Sequence, residues 1–111
     1  MTKVGDGKTP PNVPTTADAH RNLDQAALKF ENALISYESS SGDQKAHLKQ
    51  IMDQQLALIQ AAIKQIQRAG VATQGQKVST DYRDYMSNGS VENFAALEHD
   101  IQTLREYNQL P

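Results

Sequence analysis

Apolar positions recur along this chain at steps of three and four, the spacing that returns side chains to one stripe of a helix. The longest such stretch runs from Asp43 to Ala69, with Leu48, Met52, Leu56, Ile59, Ile63 and Ile66 in register. A second row, Ile51, Leu58, Ala61 and Ala62, widens the stripe, and only Gln60 is polar between Leu56 and Ile63. An apolar face this wide predicts a central helix covered on more than one side. Ahead of it, Leu23, Ala27, Phe30, Leu34 and Tyr37 form a heptad-like seam, with Asp24, Glu31 and Glu38 on the opposite face. This first helix is expected from a cap at Thr15 or Thr16 to about Ser39. The short turn through Ser40, Ser41 and Gly42, with Asp43 capping the next helix, predicts an antiparallel hairpin.

Gly70 reads as the residue just past the central helix, with Lys64 and Arg68 in its last turns where the dipole favours cations. Residues 70–77 then read as a polar connection. Tyr82, Tyr85 and Met86 predict a short helix over 78–86, broken at Ser87, Asn88 and Gly89. Ser90 caps a last helix from Val91 to about Asn108, with Phe94, Leu97, Ile101 and Leu104 as its stripe. Alternating β-branched runs are absent, so no sheet is expected. The sequence therefore predicts an all-α fold, a small antiparallel bundle of three main helices with a short one laid across an end. Residues 16–111 make one domain, behind a disordered arm over 1–15 that holds Gly5, Gly7, Pro10, Pro11 and Pro14. Charge is segregated: Lys45 to Arg68 is basic, while Asp81 to Glu106 holds six acids against Arg83 and Arg105. That pattern sets the second and last helices side by side.

Composition narrows the function classes. A chain of 111 residues suits one core, built here from Leu, Ile and Ala because Trp is absent and Phe occurs only at positions 30 and 94. No cysteine is present, which excludes disulfides, thiol catalysis and thiolate-held zinc. A net charge of −2 gives no electrostatic argument for nucleic acid. The first sixteen residues lack the apolar core of a secretory signal, and no apolar run is long enough to span a bilayer. The expected location is the cytoplasm where the chain is made, with export by a specialised secretion system left open.

Motif chemistry is sparse. Gly70 and Gly75 have the four-residue gap of a phosphate loop, but Gln76 stands where its lysine belongs, and Lys77 follows one place late. His20, His47 and His99 fall on different helices, and no Glu has a His three positions on, as a di-iron bundle requires. Asp81, Asp84 and Asn88 lack the rhythm of a calcium loop. Asn88-Gly89-Ser90 has the letters of a glycosylation site but reads as a turn and a cap. Lys45, Lys49, Lys64 and Arg68 read as a solvated face. No catalytic residue, cofactor or metal ligand is expected. The glutamine-rich central helix and the cluster Tyr82, Tyr85 and Met86 carry the residue types of assemblies and interfaces. Packed, the cluster plugs one end of the bundle; exposed, it is the first candidate for a partner site.

The helical hairpin with Ser40-Ser41-Gly42 at its turn resembles the small secreted WXG100 proteins. It lacks the tryptophan of their turn, and no acid stands four residues after Tyr82 or Tyr85. Short hairpins of type III needle subunits are similar too, without this chain's last helix. The reading that remains is a non-enzymatic protein-interaction module, an adaptor, chaperone or inhibitor, whose plain composition suits a bacterial origin. A self-assembling helical protein whose partner is a second copy is the alternative, and a small-molecule binder or enzyme is the third.

Overall fold

The computed structural model describes residues 16–109, and the expected N-terminal arm over 1–15 lies outside them. Four helices follow one another: α1 (Thr16–Glu38), α2 (Gly42–Ile66), α3 (Ala69–Ser87) and α4 (Val91–Gln109). The protein is an all-α helical bundle. Cross-helix pairs give its topology. Lys45 Nζ lies 4.6 Å over the Tyr37 ring, which joins the end of α1 to the start of α2. Tyr82 of α3 reaches Asp53 and Gln60 of α2 reaches Ser79, so α3 runs back along α2. Arg105 meets Asp24, and Asn108 meets His20, so α4 runs antiparallel to α1. The helices thus alternate in direction and form a ring in which each touches the next and α4 returns to α1.

The third helix is the main departure from the expected architecture. It spans 19 residues, as long as α4, and the stretch read as a polar connection belongs to it. Val71, Gln74, Val78, Tyr82 and Tyr85 are all buried at steps of three or four, so the stripe begins seven residues before Val78. Gly70, which reads as the residue just past the central helix, and Gly75, which reads as part of the connection, both sit inside the helix. Gly75 is there for clearance: a Cβ on it would lie 2.2 Å from Ile63 Cδ1. The central helix therefore ends earlier, at Ile66, and Gln67 takes the left-handed cap conformation (φ 56°) with its N–H donated to Ile63 O. Only Gln67 and Arg68 separate α2 from α3.

With a full-length α3 in place, α2 and α4 become diagonal, and no Cα pair within 8 Å joins them among the described residues. The side-by-side arrangement expected from their charges does not occur. Instead Arg105 of α4 bonds Asp24 of α1 at 2.9 Å, and Gln102 donates to Glu31 at 3.1 Å.

Leu23, Phe30, Leu34, Met52, Ile59, Val78, Leu97, Ile101 and Leu104 are fully buried between the four helices. Tyr82 meets Phe30 edge-on across the diagonal, with ring centroids 5.3 Å apart. Helices α1 and α2 meet on small side chains, since Ala19, Ala26 and Ala33 recur every seven residues and are buried, as is Ala62. Small residues at a helix contact let the backbones approach closely. At the turns, Gly42 adopts φ 61° with open space around it, a conformation that costs other residues about 1–2 kcal/mol. Ser90 caps α4 as expected, its Oγ accepting from Asn93 N–H at 3.1 Å.

Candidate interaction site

The cluster singled out in the sequence is divided by the fold. Helix α3 turns Tyr82 and Tyr85 inward, and both are buried. The Tyr85 ring lies between Tyr37 and Phe94, at centroid distances of 5.9 and 6.1 Å, and its hydroxyl donates to Glu38. The Tyr82 hydroxyl donates to Asp53 Oδ1 at 2.5 Å, while Lys49 donates to Oδ2 at 3.0 Å. Partial burial pushes the Asp53 carboxyl up, but these two donors and the Lys49 charge outweigh it and hold the group below its usual range. Burial, then the hydrogen bond and the charge of Asp53, raise the Tyr82 phenol far above its ordinary value. Tyr85 is raised likewise by burial and Glu38. Neither phenol ionises at any physiological pH, and both rings serve packing. The three residues do not form a presented patch. Met86, half-buried, and the edge of Tyr82 border a shallow cleft between α2 and α3, beside Lys49 and Arg83.

The remaining candidates also resolve into structural roles. His20 bonds Asn108, whereas His47 and His99 are exposed on α2 and α4. Among the described residues no three His, Asp or Glu side chains group to hold a metal ion. Gly70 to Lys77 is helix rather than a phosphate-cradling loop. Lys45 lies over an aromatic ring and Lys49 is paired with Asp53, so the basic residues do not act as one stripe. No described helix is long and apolar enough to cross a membrane.

The surface that stands out was partly hidden in the sequence. The second apolar row of α2 is not covered on its far side: Leu58 is 54% exposed, and Ala61 is exposed beside it. The reason is geometric. The row lies on the outer edge of the α1–α2 seam, and α3 and α4 both pack on the other side of that hairpin. Here the small side chains leave a groove of about 420 Å³. Its floor is Ala19, Ala26 and Ala62, and Leu58 stands at its side. The rim carries amides, Asn22, Gln25 and Gln65, with Lys29 as the single charge lining it. Gln55 also lines the groove, with its Oε1 buried and unbonded.

Two signals for this groove are present in the sequence. The alanines at 19, 26 and 33 mark a second stripe on α1, next to the Leu/Phe seam. Glutamines flank the second apolar row of α2 at 55 and 65. Neither signal alone distinguishes a groove from a covered seam. On the opposite edge of α1, Leu28 and Ile35 are exposed seven residues apart, and Val91 of α4 is exposed as well.

Neither known protein families, curated proteins nor solved structures show a match to this chain.

Proposed function

We propose that this protein is a non-enzymatic protein-interaction module that receives an apolar helix or strand edge of a partner in the α1–α2 groove. The observation that carries the reading is the open apolar row on α2. Leu58 is more than half exposed directly beside an alanine-floored depression. A buried apolar anchor ringed by polar side chains is the arrangement from which helix-in-groove recognition draws affinity. The amide rim supplies donors and acceptors for a partner's backbone or side chains. Gln55 Oε1 is an acceptor without a donor, and such a group costs about 1–3 kcal/mol when buried. Turning it toward a docked donor relieves that cost.

A second reading has one observation of its own. A rim of neutral amides can face a copy of itself without like-charge repulsion except at Lys29, so the groove also suits a two-fold dimer.

The test compares tagged wild-type protein with Leu58→Glu in pull-downs from native lysate of the source organism, read by mass spectrometry with stoichiometry. A single partner near equal stoichiometry, lost in the variant, supports the module. Recovery of the bait alone in multiple copies, lost in the variant, selects self-association. A partner retained equally by both proteins rejects the groove as the site. Leu58 is at the surface, so the variant's unfolding free energy is expected within about 0.5 kcal/mol of wild type.

A further inference from the structure

Away from the groove, the α3–α4 seam brings like charges together. Asp81 on α3 faces Asp100 on α4 at hydrogen-bonding range. Asp81 Oδ2 is buried and has no hydrogen-bond partner in the structure. Asp100 has one fixed donor, the Gln74 amide, which lies 3.3 Å from both its Oδ1 and its backbone carbonyl. Gln74 is itself buried, so its direction is set by packing. Two carboxylates in contact cannot both be ionised without repulsion, whereas one proton between them makes an O–H···O⁻ bond. The proton also gives the buried Asp81 Oδ2 side of the pair the hydrogen bond it lacks.

We propose that Asp81 and Asp100 share one proton across the α3–α4 seam, making this seam a pH-sensitive joint that is held when the proton is present and loosened when it leaves. The loss is a simple ionisation: the bridging proton goes to water, and two facing anions remain. Two further charges on α3 act on Asp81. Asp84, on α3, adds repulsion, and Lys77, also on α3, works in the opposite sense. Burial, then the Asp100 hydrogen bond and charge, push the Asp81 carboxyl up to about 7. A group whose pKa is raised in the folded state stabilises that state most below its unfolded value, about 4. The contribution then fades as pH rises through about 7. This protein is therefore expected to tighten under mild acid, opposite to the usual behaviour of salt-bridged carboxylates. The inference does not depend on the proposed partner groove, which lies on α1 and α2.

The experiment measures thermal unfolding between pH 5.5 and 8.5 for wild type and Asp81→Asn, together with a carbon-13 carboxyl titration of the wild-type protein. The wild-type Tm is expected to fall by about 5 °C across this range. The Asn variant keeps a neutral donor at the seam at every pH and is expected to lose that slope. Histidines as a class titrate in the same window, so the difference between the two proteins is the readout. The titration is expected to show one aspartate carboxyl with a midpoint near neutrality. Equal slopes in both proteins, or carboxyl titrations confined to the ordinary acidic range, would overturn the proposal. The second measurement needs no variant, so the proposal remains testable if Asp81→Asn does not fold.

Discussion

Gly75 sits where α3 packs against the Ile63 side chain of α2, and replacing it by alanine sets two opposing effects against each other. Alanine in a helix interior is favoured over glycine by about 0.5–1 kcal/mol, because glycine loses more backbone freedom on folding. Against this, the new methyl would stand 2.2 Å from Ile63 Cδ1 and 3.5 Å from its Cγ1. Carbon atoms rest about 3.5–4.0 Å apart, so Cδ1 has to retreat by about 1.5 Å. It is the free end of a half-buried side chain and can rotate away, at an overpacking cost of about 1–3 kcal/mol. Gly75→Ala alone is therefore expected to be destabilising by about 0–2 kcal/mol. Ile63→Val removes Cδ1 and leaves the ordinary 3.5 Å contact with Cγ1. In that background the same Gly75→Ala change should stabilise by about 0.5–1 kcal/mol. A double-mutant cycle from urea unfolding, followed by far-ultraviolet circular dichroism, should thus show a coupling of about 1–3 kcal/mol. Additivity within about 0.5 kcal/mol, or stabilisation by Gly75→Ala on its own, would refute the close approach and with it the placement of α3 along α2.

The core and the seams give two further expectations. Ile59→Ala, in the fully buried row of α2, should cost about 2–5 kcal/mol in chemical denaturation, whereas half-buried Leu56→Ala should cost about half as much. Asn108→Ala strips partners from both the His20 ring and the His20 carbonyl. It is expected to cost about 1–3 kcal/mol and to raise hydrogen exchange in the first turns of α1.

Three of the four helices are legible from spacing alone, because Leu23 to Tyr37, Leu48 to Ile66 and Phe94 to Leu104 each repeat an apolar residue every turn. The third is not, for a physical reason at identifiable residues. Its first two turns present Val71, Gln74 and Gly75 to the core, and a buried glutamine and a glycine carry no apolar signal. Glycine in a helix that lies against a neighbouring helix's side chain looks, in a sequence, like glycine in a loop. Once α3 is underestimated, α2 and α4 become neighbours by default, and the charge pattern then suggests a pairing that the full-length helix prevents. The groove was obscured differently. A wide apolar stripe signals how much surface wants cover, but not whether the chain has a helix left to cover it. The burial of Tyr82 and Tyr85 depends on the register of α3 against Asp53 and Glu38, which periodicity does not contain.

The bonds between His20 and Asn108 have a topological consequence. They bring the first turns of α1 alongside the last turn of α4, so the helices make a closed circuit of four corners. Among the described residues, the chain crosses three of these corners, at residues 39–41, 67–68 and 88–90, and no described connection crosses the fourth. A short linker across that fourth corner would permit a circular permutant opened at 39–41 or 88–90, with every helix keeping both of its neighbours. To the packed ring, the order in which the helices are strung is only a matter of which corner is left open.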